Sequence, residues 1–242
     1  MIILSYNLAW LIYNIYRSKA KLFIYLTNWT FTILVIYFAF ATILSCKALY
    51  DDLKKKREAA PSPKSKETPV VEIEMGSGDE DDDSVDSARE KDALRFEHKL
   101  FWLIYVISAT GGLWVTVGYW TVLVGDDIID ANNITKHALN SVFMLIDTCL
   151  CSIPVRLVHW LYALLYFAVY LTFSVIYWQL GGTNIQGKPY IYGALNYSDF
   201  KTKIGILLVV FLLVVLPILQ LVLFGVTKLR DHLHKKYNDK SI

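Results

Sequence analysis

The residues best placed to do chemistry in this chain are polar side chains that interrupt long apolar stretches. One stretch, residues 137–154, carries His137, Asn140, Ser141, Asp147, Thr148 and Cys151. At about 100° per residue these six fall within one arc of roughly 120°, so a helix there has a polar stripe. The next stretch repeats the pattern with His159, Tyr162, Tyr166, Tyr170, Ser174 and Tyr177. An ionisable side chain in a lipid-spanning helix is costly and points to function. Interhelical hydrogen bonding is the plainer use for the Asn, Ser, Thr and Tyr residues. Asp147 suits either a structural ion pair or a neutral carboxylic acid. His159, beside Arg156, suits the membrane interface better than catalysis. Two such stripes facing each other predict a hydrogen-bonded interior that holds a lipid headgroup or an acyl ester.

The elements that must position these side chains follow from the distribution of charge. Of the 22 acidic residues among 242, 15 lie between Asp51 and Glu97, and outside that window runs of apolar residues alternate with short polar links. About 20 apolar residues cross a ~30 Å hydrocarbon core as a helix, because a lipid-exposed backbone must satisfy its own hydrogen bonds. The spans read Met1–Tyr16, Leu22–Cys46, Leu100–Val124, His137–Pro154, Leu157–Leu180 and Ile204–Thr227. The predicted fold is all-α, a polytopic transmembrane bundle of about six helices with a disordered, charged cytosolic loop. Residues 1–50 hold the first two spans and 51–99 the disordered loop. Residues 100–227 hold four spans with extracytosolic loops, and 228–242 form a basic cytosolic tail. Pro217 predicts a kink in the sixth helix. Ser108, Gly112 and Thr116 place small residues four apart, a close-packing face for a neighbouring helix. The first span lacks a basic leader and a small-residue cleavage site, so it reads as a retained helix rather than a signal peptide.

The 51–99 loop combines the basic run Lys54–Arg57 with the acidic run Asp79–Asp83 and too little apolar surface to fold. The basic run suits anionic headgroups. Ser77, Ser84 and Ser87 could accept phosphate, although a solvated tail is the simpler reading. Six spans put this loop and the C-terminal tail on one side, with Lys47, Lys228, Arg230, Lys235, Lys236 and Lys240. The positive-inside rule makes that side cytosolic, together with both termini. Arg17, Lys19 and Lys21 oppose this assignment. The sequons at Asn133 and Asn196 support it, since both fall in loops on the other side, whereas Asn28 lies within a helix and should be silent. The membrane is expected to be the plasma membrane or the endoplasmic reticulum. Three cysteines (Cys46, Cys149, Cys151) form no disulfide framework. Cys46 suits palmitoylation or burial equally. Outside the loop, 14 basic residues face seven acidic ones, which suits a border with anionic lipid. No spacing suggests nucleic-acid binding, a metal site, a phosphate loop or a cofactor. Membrane lipids are the expected partners, and protein partners and oligomeric state are not legible.

Three stretches resemble the rolling stone family of animal multi-pass membrane proteins. They are Phe23-Ile-Tyr-Leu-Thr-Asn-Trp29, His137-Ala-Leu-Asn-Ser-Val-Phe143 with Asp147 and Pro154-Val-Arg156, and Tyr177-Trp-Gln-Leu-Gly-Gly-Thr-Asn184 with Gly187 and Ile191-Tyr192. The resemblance covers most of Lys21–Phe200. Departures are the acidic insert and a shortened N-terminus, which points to a fragment. The resemblance implies the multi-span fold and, through the founding member, an association with myoblast fusion. More distantly, Leu26-Thr27 and His137 with Asn140-Ser141 are similar to motifs of the androgen-induced protein family. Those are six-span hydrolases of fatty acid esters of hydroxy fatty acids that use one intramembrane Thr and one His. This implies Thr27 as nucleophile and His137 as base, the usual pairing, with Asn140 as an orienting group. Asn140, Asp147, Tyr166 and Tyr170 are the expected substrate-binding residues. A Thr inside a helix also often bonds the preceding turn. In the predicted topology Thr27 lies about one turn inside its helix, and His137 opens the fourth helix at the same end.

The Gly181–Lys203 connection holds Gly181, Gly182, Gly187, Gly193 and Pro189, so it reads as compact and turn-rich. Asn184, Gln186, Tyr190 and Tyr192 are its candidate lid residues, with a plain surface loop as the equal alternative. The sequence thus supports two functions: an intramembrane Thr/His hydrolase of fatty acid esters, or a non-enzymatic surface protein of fusion or adhesion. A transporter is disfavoured by the short chain and the lack of an inverted repeat.

Overall fold

The computed structural model describes residues 1–59, 96–124, 129–199 and 202–238. Six helices organise them. They are α1 (Ile2–Ser18), α2 (Leu26–Ala59), α3 (Phe96–Gly118), α4 (131–150), α5 (Trp160–Gln179) and α6 (202–238). α2, α3, α5 and α6 are each long and apolar enough to cross a membrane. At 17 residues, α1 reaches only about 25 Å. The outward faces of α5 and α6 are apolar, with Leu161, Leu165, Val169, Ile176, Ile206, Leu213 and Leu221 all exposed. In water such a surface would drive aggregation, and in lipid it is the required one.

Where apolar burial against lipid gives no net gain, helices associate through close packing and interhelical hydrogen bonds. α3 does both at the centre of the bundle, against α2, α4, α5 and α6. Phe31, Leu34 and Tyr37 of α2 pack with Tyr105, Val106 and Ala109 of α3 and with Met144 of α4. The expected small-residue face is real. Gly112 opposes Asn140, whose backbone and Cβ would lie 3.9 Å from an added methyl, and Thr116 bonds Ser141 at 2.6 Å. Gly112→Ala should therefore be nearly neutral. Gly112→Leu should wedge α3 from α4 and cost about 1–3 kcal/mol, read as a lower unfolding midpoint in detergent. Equal midpoints for the two variants would refute the close contact.

The structure differs from the sequence reading in several places. α2 continues through residues 51–59, which were expected to be disordered. The exposed pairs Lys56–Asp52 (2.8 Å) and Lys54–Glu58 (3.9 Å) sit at helical i,i+4 spacing and each support it by a few tenths of a kcal/mol. Residues 60–95, including Ser77, Ser84, Ser87 and the acidic run, lie outside the described residues. α4 begins at Ala131, capped by Asp130, which accepts from the Asn133 N–H at 2.7 Å, so His137 lies in its second turn instead of opening it. α6 runs on through Pro217, where the sequence placed a kink. A wide π turn at Phe211–Val215 precedes it, relieving the ladder where proline lacks an N–H and crowds the carbonyl four residues back.

The 180–199 connection is an anchored structure. Gly181 (φ +76°) ends α5 in the left-handed conformation, with Gly181 and Gly182 N–H bonding the Trp178 and Tyr177 carbonyls. Asn184 is buried, and its Oδ1 accepts from the Gln186 and Lys188 N–H groups. Lys21, in the α1–α2 turn, donates to Thr183 Oγ1 (3.1 Å) and the Asn184 carbonyl (2.9 Å). Ser174 and Trp178 of α5 bond Tyr197 and Ser198.

Candidate functional site

An apolar cavity of about 110 Å³ lies between α2, α3, α5, α6 and the 180–199 connection. Thr27 lies at its wall with Trp114, Tyr119, Phe167, Tyr170 and Tyr192, and exposed Val122 and Leu207 also border it. A ~150 Å³ apolar cavity holds a benzene, so this one takes a few carbons of hydrocarbon, not a whole acyl chain. A longer chain would leave past Val122 and Leu207 toward lipid.

Thr27 is the second residue of α2, reached after a short 3₁₀ turn (Lys19–Ile24) and an extended Tyr25. The amides that open a helix have no partner within it, and burial makes that costly. The Tyr192 hydroxyl lies against this start, reaching the Thr27 hydroxyl and the Leu26 and Thr27 main chain. Burial raises the Tyr192 pKa, opposed chiefly by the contact with the Thr27 hydroxyl, so Tyr192 is a neutral phenol. Tyr170 donates to the Ile24 carbonyl at 2.8 Å, fixing the same turn from α5. Tyr192 also packs edge-on to Tyr25, 5.6 Å between centroids. Thus one of the four candidate lid residues covers the cavity. Asn184 instead organises its turn, and Gln186 and Tyr190 line no part of the cavity.

His137 is buried but does not line the cavity. Its ring stacks on Tyr119 with centroids 3.6 Å apart and planes 7° from parallel, and Tyr119 is itself a wall residue. Both belong to wide π turns, Thr135–Leu139 in α4 and Tyr119–Leu123 at the end of α3. A third, Phe211–Val215, contributes Phe211 and Leu212 to the same wall. Such turns are rare and frequent at functional sites. His137 Nδ1 is buried without a hydrogen-bond partner, and Trp120 donates to the His137 carbonyl at 3.0 Å. The Thr135–Leu139 turn packs on α2, but no hydrogen bond among those found links Thr27 and His137.

Of the expected substrate-binding residues, the cavity includes Tyr170 alone. Tyr166 bonds Thr30 at 3.1 Å, and Asn140 donates to the Lys136 carbonyl at 2.8 Å. Asp147 accepts from Tyr37 at 2.5 Å, a hydrogen bond across helices, and takes part in no ion pair among the described residues. The two stripes do not enclose a shared polar interior. α4 turns Ser141, Asp147 and Thr148 onto α3 and α2, and α5 turns Tyr166 onto α2 and Tyr170 onto the 3₁₀ turn that precedes it. The space between is apolar because those hydroxyls already have partners. Tyr119 and Trp114 were not expected at the site. Tyr119 lies in a π turn, which shifts the face a residue presents in a way that straight-helix arithmetic cannot register, and Trp114 lies in the regular part of α3.

A family model described as protein rolling stone matches residues 82–239. Protein rolling stone of Drosophila melanogaster is 29% identical over 148 residues, 58% of this chain and 52% of that protein. The chain therefore spans about half the length of that relative. The family match takes in α3 to α6, with the His137–Arg156 and Tyr177–Tyr192 stretches, and leaves the Phe23–Trp29 stretch outside. No solved structure matches.

Proposed function

The chain belongs to the rolling stone family, and from that premise we propose that it is an integral membrane protein that hydrolyses fatty acid esters at Thr27. The observation that carries this reading is the place of the Thr27 hydroxyl, at the wall of an apolar cavity within a lipid-facing bundle. A substrate enters with part of its acyl chain in the cavity and its ester at Thr27, displacing the Tyr192 hydroxyl. Thr27 Oγ attacks the ester carbonyl while its proton passes to His137, which returns it to the departing alkoxide. Water then cleaves the acyl-threonine with the same base. His137 must first swing from its stack on Tyr119, so the described arrangement is a closed, resting one. The chemistry comes to this chain by the resemblance of Leu26-Thr27 and His137 to known hydrolase motifs.

A second reading is favoured by the bonds already made. Thr27 meets Tyr192, His137 stacks on Tyr119, and Asn140 and Asp147 are held by Lys136 and Tyr37. Thr27, His137 and Asp147 then join neighbouring elements and Asn140 bonds within its own helix, in a non-enzymatic surface protein of fusion or adhesion. An acyl fluorophosphonate separates the two, because it labels an activated hydroxyl and not a merely bonded one. Labelling mapped to Thr27 supports the hydrolase, and a protein that stays unlabelled, or is labelled elsewhere, supports the second reading.

The proposal includes a topology. The α1–α2 turn, the α3–α4 connection and the 180–199 connection face away from the cytosol, and both termini and residues 60–95 face it. The basic residues of the C-terminal tail and the sequons at Asn133 and Asn196 support this. The host membrane is the plasma membrane or the endoplasmic reticulum.

A further inference from the structure

The two halves of α6 are held to the bundle differently. No residue of 202–215 is buried, whereas Leu216, Gln220, Leu223 and Thr227 are. Gln220 fixes the second half through Thr110 and the Arg156 carbonyl, and Arg230 fixes it to the end of α4. Among the described residues, the hydrogen bond that ties 202–215 to another helix runs from the Trp114 indole N–H to the Phe211 carbonyl, at 3.2 Å. Ile204, Leu207, Leu208, Phe211 and Leu212, spaced as one helix face, line the cavity opposite Trp114 and Phe167. The other face, with Ile206, Val209, Val210 and Leu213, is exposed. Both faces are apolar, so parting this half from its neighbours uncovers nothing that hydrocarbon would not cover equally well. The halves meet at the wide turn Phe211–Val215 and Pro217, the two features at which helices bend most readily.

We propose that one acyl chain of a bilayer glycerolipid enters the cavity sideways, past Val122 of α3 and Leu207 of α6. Those two residues line the cavity and are also exposed, so its mouth is continuous with the lipid-facing surface of the bundle. Hydrocarbon is the medium on that side, and an apolar wall selects a methylene chain over a headgroup. In the topology given above, Thr27 stands in the first turn of α2, near the edge of the hydrocarbon core where a glycerolipid carries its esters. The cavity and its mouth carry the binding of the chain. That the bound lipid is also the substrate rests on the hydrolase reading.

The test places the full chain in nanodiscs of phosphatidylcholine that bears a diazirine midway along one acyl chain, then maps the crosslinks. The wild type should be labelled at Phe167 and Tyr170, on the cavity wall, as well as at lipid-facing Leu165 and Val169. Ala194→Phe fills the cavity from the 180–199 connection, and Leu207→Trp obstructs its mouth at a position already facing lipid. Each should cut labelling of Phe167 and Tyr170 about tenfold, because close-packed side chains leave no room for a methylene chain. Leu165→Trp, away from the mouth, should leave the wall labelled. Wild-type labelling confined to Leu165, Val169 and other outward residues overturns the proposal. Wall labelling that persists in Leu207→Trp overturns the sideways route. A protein that crosslinks at the wall yet resists the fluorophosphonate keeps the lipid site and loses the reaction.

Discussion

Thr27→Ala should reduce ester hydrolysis to background, and His137→Ala should lower it about 10²–10⁴-fold, the range for loss of a general base. The double variant should be no worse than Thr27→Ala, because groups acting as one unit fail together. Thr27→Ser keeps the hydroxyl and should retain part of the rate. None of these should unfold the protein. Thr27 contributes one small side chain at the start of α2, whose turn is also held by Tyr170 on the Ile24 carbonyl. Asp147→Asn is the control. It lies about 15 Å along the helix from His137, and its contact is the 2.5 Å bond from Tyr37. Removing the charge there should alter stability and leave the hydrolysis rate close to wild type. Wild-type hydrolysis in Thr27→Ala would end the mechanism and leave the fusion or adhesion reading in its place.

The second large effect belongs to Arg230. Its Nη1 donates to the Thr148 carbonyl (3.1 Å) and, more closely, to the Cys151 carbonyl, at the end of α4 where carbonyls lack helical partners. Its Nε and Nη2 grip Asp231 at 2.9 and 2.7 Å. The Arg230 guanidinium therefore caps the negative end of α4, a favourable arrangement of charge and dipole. Nearby, Gln220 of α6 donates to the Arg156 carbonyl at 2.8 Å and accepts from Thr110 of α3 at 2.7 Å. Arg230→Met keeps most of the apolar stem and removes all of the donors. It should cost about 3 kcal/mol, the loss of charged hydrogen bonds that leaves buried carbonyls unpaired, lowering the melting midpoint in detergent by roughly 6–12 °C. Arg230→Lys should recover only part, since an ammonium cannot reproduce the planar fork. Asp231→Asn should change little, because that side chain is 56% exposed. An Arg230→Met protein that melts with the wild type would show that other contacts hold α4 and α6 together.

The sequence by itself determined the class of the fold. Confinement of 15 acidic residues to one window, with apolar runs elsewhere, leaves a helical membrane bundle as the fold that satisfies every backbone group in lipid. Local spacing also identified Gly112 and Thr116 as a packing face, and the apolar run placed Asn28 inside a helix, because both follow from position on a single helix. The rolling stone resemblance was legible for a related reason, since runs such as Tyr177–Asn184 encode a helix end and a glycine turn locally.

The tertiary structure alone decided which groups meet. Thr27 lies against Tyr192, and Lys21 against Thr183 and Asn184, each across more than a hundred residues. Arg230 reaches back to Cys151, and Asp147 finds Tyr37 rather than a cation. A period groups residues on one face of a helix but says nothing about which neighbour that face turns toward. Three π turns rotate the faces of α3, α4 and α6 away from the 100° spacing, and they lie on or beside the cavity. Tyr119, in one of these turns, stands at the wall beside Trp114 from the regular part of α3, while Asn140 and Asp147 do not. A hydroxyl inside a bilayer takes the nearest partner that the packing supplies, and that packing is set jointly by all six helices.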